Sequence, residues 1–591
     1  MAVFEIKPAS VAPEKAKEME WLMTNSLGGY SSGTITGRAT RLYHGMLVSS
    51  LEDFKRIVVF RGVKECLSVD GEKHELTENS VEKFEYSPDM VSFTLLNEFA
   101  KITKKFKAIP EENGIILSYE IRNKVMQSVA LQAEILLSCM VIDKEKQCVN
   151  KKFSTELLND HAFGIDAGLC YSIILSDRAL CFHENSTDRK ECSVHFSLEL
   201  RPNEDKTFRI IAFSSENKEK MMEKLKTINF ADKADRMLSS GVGVPIMTLL
   251  ANVKQFLVKR ETKLGIIAGY PYYGEIGRDA MLSLPGLTFT TSRTTDAEMI
   301  FERYLNVSTL QGVPSGFSDG KPVYGDMDTF LWLIDRLYSY MNHVGEERFK
   351  KFLHTYWWNL KDVMKSYAEK EKNGFLMHEG KTWMLSEKRE AAVEIQGLWY
   401  NALRIMDKFS KIMGEYDAGM DYAEYAKKHE ENFLKEFWTG YYLKDSLRDN
   451  TLRPNQLILA ALNFNVLPEG YKKSILSKVS EELLTPYGIR TLGKKHTNFN
   501  SKDKFNGAAV PWLLGPFIKM YVEVHGQDKS YGFLKRLFEE QINYGCIGTL
   551  PEFFDSETYE PLGCISYAPS VAELLRTYFE DVMGKKLCRQ P

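Results

Sequence analysis

The spacing of apolar residues changes once along the chain. From about residue 15 to residue 215 the apolar residues come in short bursts, for example SFTLLNEF and GIILSYEIRN, separated by charged residues or by turns of Asn, Asp and Gly. Short bursts bounded by turn residues are typical of the antiparallel strands of a β-sandwich. Residues 1–215 are therefore predicted to form a β-sandwich domain.

The later part of the chain has a helical period. After a charged helical stretch over residues 216–244, taken as a linker, helices with aromatic-rich apolar faces follow one another to the end. About twelve segments can be counted, which open near Pro245, Arg278, Asp296, Asp326, Glu347, Ala391, Asp421, Arg453, Glu469, Gly507, Ser530 and Tyr567. An even number of paired helices suits a toroid, so residues 245–591 are predicted to form an (α/α)6 barrel, which makes the chain an α+β multidomain protein. Loops at one end of such a ring line a central pocket, so polar and aromatic residues at helix starts are the candidates for chemistry.

Composition argues against several classes of function. The 591 residues carry a formal net charge of −3, and basic residues are interleaved with acidic ones, which argues against nucleic-acid binding. The nine cysteines are odd in number and contain no CxxC pair, which favours a reducing compartment without structural zinc. No secretory leader and no long uncharged apolar window is visible, so a soluble, cytoplasmic protein without a membrane partner is expected. Scattered histidines and the absence of HExxH and P-loop motifs predict neither metal nor cofactor. The oligomeric state is left open.

The segment Glu20–Val48 concentrates glycine, aromatic and arginine residues before an apolar run. Such a segment forms either a shaped recognition surface or a corner of the sandwich in which Arg41 and His44 satisfy buried carbonyls. The whole string resembles the amino-terminal signature of the archaeal and bacterial type of glycogen debranching enzyme. A second stretch, AGYPYYGEIGRDAMLSLPGLTFTT at 268–291, resembles the start of that family's catalytic domain. Further pieces follow in family order: TWM at 382–384, VEIQGLWYNAL at 393–403, LRPNQ at 452–456, LLTPYGIRTL at 483–492, PWLLGPF at 511–517 and SVAELLR at 570–576.

The resemblance implies a glucan-acting hydrolase that inverts the anomeric centre. Inversion needs two carboxyl groups about 6.5 to 9.5 Å apart, one protonated to assist the leaving oxygen and one ionised to activate water. Glu552 lies in the turn-rich segment GTLPEFFDSETYE and matches the glutamate of the family's Gly-x-x-x-Glu loop, which resembles the general base of glucoamylase-like toroids. The alternative for Glu552 is an ordinary loop glutamate that caps the next helix. Asp555 is a weaker candidate for the base.

The chain departs from the family at the position of the general acid. Relatives carry Thr-Trp-Met-Asp before the VEIQ helix, and that Asp is the expected proton donor, whereas here Met384 is followed by Leu385. Glu387 or, less favoured, Glu390 could take its place, although SEKREAAVE also fits a charged helix amino terminus. A site without any acid is the third possibility.

Several sugar-binding positions match the family better. Arg278 and Asp279 match its Gly-Arg-Asp, in which the aspartate accepts hydrogen bonds from two vicinal hydroxyls of a terminal glucose and the arginine orients it; a helix-capping salt bridge is the alternative. Asp328 matches the Asp of Tyr-x-x-x-Asp, while Asp326 is a helix cap. The candidate stacking platforms are Trp332, Trp383 and Trp399; Trp383 is favoured because it lies on a loop, and core packing is the expected role of Trp399. Tyr567 stands where the family has the Gln of Gln-Ala-Trp-Ser, and it completes the set of predicted substrate-binding residues.

The departures from the family cluster at presumed pocket positions. The His-Gln-Gly-Thr-Val-Trp run of relatives is replaced by FNGAAV at 505–510, whereas scaffold motifs persist. The favoured hypothesis is an amylo-α-1,6-glucosidase that acts on α-glucan branch points. The alternatives are a carbohydrate-binding relative that no longer hydrolyses its ligand and a toroid glycosidase that acts on a different small glycoside.

Overall fold

The structure is a computed structural model that describes residues 4–52, 54–143, 148–179, 191–227, 245–260, 263–318, 320–378, 382–384, 389–415 and 421–584. The chain divides into two compact units. The first comprises Met1–Arg260, Pro271–Gly274 and Ile542–Thr549. The second comprises Glu261–Tyr270, Glu275–Gln541 and Leu550–Pro591.

Two antiparallel sheets dominate the first unit. Their strands are β1 Phe4–Ile6, β2 Glu20–Thr24, β3 Tyr30–Thr34, β4 Gly45–Ser50, β5 Arg56–Val69, β6 Glu72–Glu75, β7 Val81–Ser87, β8 Met90–Leu96, β9 Ala100–Ala108, β10 Gly114–Asn123, β11 Val129–Ile142, β12 Cys148–Asn150, β13 Ser154–Asn159, β14 Ala162–Asp166, β15 Tyr171–Ser176, β16 Glu191–Leu200 and β17 Asp205–Ser215. One sheet has the order β1-β7-β8-β9-β10-β17-β15-β14-β13. The other has the order β12-β11-β5-β4-β3-β2, with β16 paired to β11 and β6 paired to β5.

The sheets pack face to face because alternate side chains along their strands are apolar. In β10, for example, Ile115, Leu117, Tyr119 and Ile121 are buried and the residues between them are more exposed. Trp21 of one sheet packs against Phe93 and Phe106 of the other. Three α-helices occur among the described residues of the first unit: α1 Pro13–Glu18, α2 Lys218–Thr227 and α3 Pro245–Asn252.

Helices dominate the second unit. In the part of the chain that the structure describes they are α4 Gly277–Leu284, α5 Thr294–Leu305, α6 Asp328–Val344, α7 Glu346–Ala368, α8 Val393–Met413, α9 Tyr422–Phe437, α10 Ile458–Ala461, α11 Glu469–Glu482, α12 Leu514–His525, α13 Gly532–Glu539 and α14 Ala568–Thr577. The π-helical turns Pro285–Phe289 and Tyr578–Val582 extend α4 and α14, and the 3₁₀ turns Pro454–Leu457 and Pro511–Leu513 precede α10 and α12. The last strand of the first unit is β18 Leu257–Arg260. Short strands lie in the connections of the second unit: β19 Lys263–Ile266, β20 Gly269–Tyr270, β21 Gly316–Ser318, β22 Lys321–Val323, β23 Glu371–Lys372, β24 Phe375–Leu376, β25 Leu484–Thr485, β26 Gly488–Arg490, β27 Ala509–Val510, β28 Phe553–Phe554, β29 Pro561–Leu562 and β30 Ser566–Tyr567.

The even-numbered helices of this unit form a closed inner ring. Each of α4, α6, α8, α10, α12 and α14 packs against the next, and α14 returns to α4. The odd-numbered helices α5, α7, α9, α11 and α13 alternate with them along the chain. Every residue of α14 is buried, as is every residue of α4, which is the pattern of a helix that is surrounded by protein on all sides. The predicted architecture, a β-sandwich followed by an (α/α)6 toroid, is confirmed.

The predicted helix starts agree with the structure except in one place. A helix was expected to open near Gly507, but Ala509–Val510 is a strand that pairs with Ile489 and Arg490, and the helical backbone begins only at Pro511. Proline is favoured in the first turn because its fixed φ suits a helix and its missing N–H is not needed there. The first predicted segment, Pro245–Asn252, is helical but belongs to the first unit. Within the predicted linker, Lys218–Thr227 is helical, and residues 228–244 lie outside the described residues.

Candidate active site

The amino-terminal ends of the inner helices carry the acidic side chains. Asp279 lies in the first turn of α4, Asp328 is the first residue of α6, and Glu394 lies in the first turn of α8. Unpaired N–H groups give this end of a helix a partial positive charge, which stabilises carboxylates. The contacts described below connect the starts of α4 and α6 in one network and the starts of α8 and α10 in another, and the charge of Glu394 also acts on Asp328.

Arg278 joins the starts of α4 and α6. Its Nη2 lies 2.9 Å from Asp326 Oδ2, and its Nε lies 3.3 Å from Asp328 Oδ2. Burial raises the pKa of Asp328 to about 7 against the opposing effect of Arg278, and the charge of Asp326 raises it further. Oδ1 of Asp328 is buried without a hydrogen-bond partner among the described residues. The carboxyl group of Asp328 can therefore hold a proton near neutral pH, and it has one oxygen that no described residue contacts.

Asp279 is held by Tyr567, which immediately precedes α14. The hydroxyl of Tyr567 donates to Asp279 Oδ2 at 2.7 Å, and both side chains are buried. The two residues meet because β20, which leads to α4, pairs with β30, which leads to α14. Burial raises the pKa of Asp279, while Arg278 and Lys504 act in the opposite direction.

Glu552 is fully buried and makes an ion pair. Lys504 Nζ lies 2.7 Å from Glu552 Oε1, and the backbone N–H of Cys564 donates to Oε2 at 3.0 Å. Gly563 has a φ of +75°, and a Cβ at this position would collide with Oε2, so the turn beside Glu552 requires glycine. Both donors favour the ionised carboxylate. Lys504 was not identified from the sequence, because KDKF at 502–505 looks like an ordinary charged turn.

Arg389 is the centre of a second buried network. Its guanidinium binds Glu394 through Nη1 at 2.5 Å and Asp445 through Nε at 2.6 Å, and it donates to Thr382 Oγ1 at 3.3 Å. Burial disfavours the charge of Glu394, but Arg389 outweighs burial and lowers the pKa of this carboxyl. Asn455, which lies directly before α10, donates to Asp445. The network therefore connects the loop at Thr382 with the starts of α8 and α10.

The predicted tryptophan platforms are all buried. Trp383 packs edge-on against Trp512 with 5.3 Å between ring centroids, and its indole N–H has no acceptor among the described residues. The guanidinium of Arg336 lies over the ring of Trp332, 4.8 Å from the ring centre, and Trp399 is fully buried in α8. The indole N–H of Trp399 likewise has no acceptor among the described residues, so what distinguishes Trp383 is its place on the loop held by Arg389.

This chain resembles known proteins both in sequence and in fold. Residues 251–576, more than half of the chain, match the family model described as amylo-alpha-1,6-glucosidase, and residues 19–209 match the model described as glycogen debranching enzyme N terminal. The chain belongs to the amylo-alpha-1,6-glucosidase family. The family resemblance inferred from the sequence motifs is thereby confirmed, and with it membership of a family of glycoside hydrolases.

Solved structures share the fold of this amylo-alpha-1,6-glucosidase family member at low identity. A bacterial glucoamylase complexed with acarbose has a TM-score of 0.66 and 11% identity, with 97% of this chain and 95% of that chain covered. A kojibiose phosphorylase described as putative, from human microbiome, has a TM-score of 0.60 and 13% identity, with 99% and 89% covered. Among curated proteins, no sequence matches this chain. At these identities the structural matches show the fold alone.

The remaining candidates for the general acid and the general base differ in their surroundings. Leu385 and Glu387, the position of the family's proton donor and its suggested replacement, lie outside the described residues. Glu390 pairs with the exposed Arg448 at 2.9 Å. Burial of Asp555 is outweighed by the N–H groups of Glu557 and Thr558, which lower its pKa, so this side chain holds a turn.

The arrangement places two carboxyl groups in contrasting surroundings. Lys504 and the backbone N–H of Cys564 donate to Glu552, whereas burial raises the pKa of Asp328 to about 7. Within the ranges that the structure describes, no group of three His, Cys, Asp or Glu side chains could hold a metal ion. No helix of the described residues is both long and apolar enough to cross a membrane.

Proposed function

We propose that this protein is an inverting glycoside hydrolase that acts on the α-1,6 branch points of an α-glucan, with Glu552 as the general base. The observation that carries the proposal is the position of Glu552. This side chain is buried, each of its two oxygens accepts a hydrogen bond, and its partner Lys504 also lies beside Tyr567, which contacts Asp279. Lys504 connects the two sites, because its Nζ lies 2.7 Å from Glu552 and 5.3 Å from the centre of the Tyr567 ring.

A base for inversion must be ionised when water attacks. Lys504 stabilises the ionised form of Glu552, and the N–H of Cys564 fixes the orientation of the carboxylate. An ionised carboxylate can accept about four hydrogen bonds, so the two donors named here do not by themselves exclude an attacking water. Arg278, Asp279, Asp328 and Trp383 are proposed to hold the terminal sugar, with lesser contributions from Trp332 and Tyr567.

The proton donor is proposed to be Glu387, because it lies two residues after the position at which the family carries its acid. Asp328 is the described carboxyl group whose pKa, about 7, suits proton donation at neutral pH. Because Asp328 is also proposed to hold the sugar, the test compares kcat at saturating substrate: a loss of kcat in Glu387→Gln with only weaker binding in Asp328→Asn supports the first assignment, and the reverse supports the second.

The substitution Glu552→Gln tests the base. It keeps the shape of the side chain and removes its ability to accept a proton, so release of glucose from a branched limit dextrin should fall by about 100- to 10,000-fold. Glu557→Gln, at an exposed position of the same loop, is the matched control and should leave the rate unchanged. Azide should restore turnover to Glu552→Ala with an inverted glycosyl azide as product, because the anion replaces activated water. Full activity of Glu552→Gln would exclude the base assignment.

A second candidate function is carbohydrate binding without hydrolysis. It is favoured by the ion pair itself, since Lys504 lowers the basicity of Glu552, and by Leu385 at the acid position. Acarbose is a suitable probe, because the glucoamylase of similar fold was solved in complex with it. Binding of acarbose or maltooligosaccharides without release of any sugar would favour this candidate, whereas turnover of another glycoside would favour a toroid glycosidase with a different substrate.

A further inference from the structure

The outer face of the nine-stranded sheet contains a polar cavity. It lies over strands β1, β7, β8 and β9, and its volume of about 480 Å³ is within the range of small-molecule sites. Among the residues that the structure describes, the lining consists of four lysines, three glutamates, two threonines and one serine. Such a lining offers no aromatic face on which a sugar ring could stack. It favours a ligand that carries charge and hydroxyl groups.

Ser92 lies in this cavity with an unsatisfied hydroxyl. It alternates in β8 with Val91 and Phe93, which belong to the core, so its side chain is on the outer face of the sheet. Only 1% of Ser92 is exposed, and its Oγ has no hydrogen-bond partner among the described residues. Its cross-strand neighbour Lys105 reaches Glu120 at 2.6 Å, a partly exposed pair that a ligand can replace at little cost. A ligand that displaces Lys105 supplies the hydrogen bond that the buried hydroxyl lacks.

Two carboxylates lie at the same end of the cavity as Ser92. Glu85 of β7 is the other cross-strand neighbour of Ser92, and Glu5 of β1 is the neighbour of Glu85. They share one ammonium group, because Lys83 Nζ lies 2.9 Å from Glu85 and 3.9 Å from Glu5. Carboxylates that share a single donor keep lone pairs for further donors. This end therefore suits the hydroxyl groups of a ligand and disfavours an anion.

Two of the four lining lysines are free to bind an anion. Lys83 and Lys105 pair with glutamates, whereas Lys7 and Lys101 form no ion pair with a described residue. Lys7 directly follows β1 and Lys101 lies in β9, so they approach the cavity from opposite sides, with β7 and β8 between them. The third lining glutamate, Glu82, is exposed. Lysine is a common ligand of phosphate, which it binds as a point charge.

We propose that this cavity is a binding site for a monosaccharide phosphate. The phosphate lies between Lys7 and Lys101, over the hydroxyl of Thr94, and the sugar hydroxyls meet Ser92 and Glu85. A neutral sugar would leave both ammonium groups without a partner, and a bare phosphate would leave the serine hydroxyl without one, so the ligand needs both parts. The site lies in the first unit and does not depend on the proposed hydrolase.

The test is calorimetric titration of the full-length protein with glucose 6-phosphate, glucose and inorganic phosphate. Glucose 6-phosphate should bind about tenfold or more tightly than either of the other two. Lys7→Met and Lys101→Met should each weaken its binding about tenfold, because each removes a charge-assisted contact. Lys64→Met is the matched control, since Lys64 is an exposed lysine of the other sheet, and it should change the affinity less than about twofold.

Ser92→Ala tests the other end of the cavity. It should weaken binding of glucose 6-phosphate about fivefold and leave binding of inorganic phosphate unchanged, since only the sugar reaches this hydroxyl. Thermal unfolding checks each variant in the absence of ligand. The temperature of unfolding should stay at the wild-type value, because Lys7 and Lys101 are exposed and the Ser92 hydroxyl makes no bond that the substitution could remove.

Four results would overturn the proposal. They are absence of glucose 6-phosphate binding, equal affinity for glucose 6-phosphate and inorganic phosphate, equal affinity for glucose 6-phosphate and glucose, and wild-type affinity in both lysine variants. None of these measurements involves hydrolysis. A protein without glucosidase activity that binds glucose 6-phosphate in the expected order would thus support this site and reject only the proposed function.

Discussion

At the scale of single residues, Asp328 lies in surroundings that favour its neutral form. It is buried at the start of α6, and its neighbours include the charges of Asp326, Glu394 and Asp279 as well as Arg278. Arg278 divides its guanidinium between Asp326 and Asp328, so it does not fully offset the burial of the second carboxylate. The pKa of Asp328 is accordingly raised to about 7.

A raised pKa has a definite effect on stability. The folded protein binds the proton of Asp328 more tightly than the unfolded chain, whose Asp pKa is about 3.9, so the free energy of unfolding falls as pH rises from about 4 to about 7. Asp328→Asn removes this titration. Relative to wild type, the variant should gain roughly 2–3 kcal/mol between pH 5 and pH 8 in urea unfolding. The exposed change Asp362→Asn serves as control, and parallel pH curves for Asp328→Asn and wild type would contradict the prediction.

Some residues of the site can be identified from sequence motifs, whereas others reach the site only when the chain folds. Arg278, Asp279 and Asp328 were found because they lie within short family motifs at helix starts. Lys504 and Asp445 lie on loops whose sequences show no periodic pattern. They lie beside Glu552 and Arg389 because loops that are distant in sequence meet in the folded ring. SEKREAAVE at 386–394 fits a charged helix amino terminus as well as a loop that supplies an acid, and neither interpretation predicts that Arg389 and Glu394 are buried partners. Sequence periodicity reports which face of a helix is apolar, but it does not report which loops meet.

At the scale of elements, the Arg389 network fixes the loop at Thr382 against α8 and α10. The guanidinium compensates two buried carboxylates, so its removal leaves charges that water cannot reach. Arg389→Met should therefore reduce the free energy of unfolding by about 3–5 kcal/mol. The matched control is Arg448→Met, because Arg448 pairs with Glu390 at 2.9 Å but is 83% exposed, and its loss should cost less than about 1 kcal/mol. Equal effects of the two substitutions in chemical denaturation would show that burial does not determine the contribution of Arg389.

Most helices could be predicted because their apolar stripes are wide and regular. The prediction failed where a short strand, Ala509–Val510, precedes a proline-started turn, since two buried residues are too few to show an alternating pattern. The small strands that precede α4 and α14, Gly269–Tyr270 and Ser566–Tyr567, are equally short. They nevertheless place Tyr567 beside Asp279, so the least predictable elements contribute most to the geometry of the site.

At the scale of the whole molecule, the sheet-containing unit includes two segments from the later chain. Arg56 is buried in β5 and donates to the carbonyls of Pro271 and Tyr273 at 2.7 and 2.9 Å. Glu20 of β2 exchanges backbone hydrogen bonds with Gly545 and Ile547 at 2.6 and 2.8 Å. The predicted domain boundaries at residues 215 and 244 treat the parts as consecutive, since no sequence pattern signals a segment that returns to an earlier unit.

A fragment that ends at residue 260 should therefore be less stable than the same unit in the full chain. It lacks Pro271–Gly274 and Ile542–Thr549, so Arg56 loses two carbonyl acceptors and Glu20 of β2 loses its backbone hydrogen bonds to Gly545 and Ile547. Buried polar groups without partners each cost about 1–3 kcal/mol, so a broad transition at lower temperature is expected in calorimetry and near-ultraviolet circular dichroism. A sharp transition at the temperature of the intact protein would contradict this.

The closed ring of inner helices also has a consequence for biosynthesis. Because α14 packs against both α12 and α4, the earlier inner helices keep an apolar flank uncovered until residues 568–577 have left the ribosome. The contact between α14 and α4 joins parts of the chain nearly 300 residues apart, and such long loops close slowly. Nascent chains of the helical half should thus remain dependent on chaperones until α14 has been synthesised, however early their individual helices form.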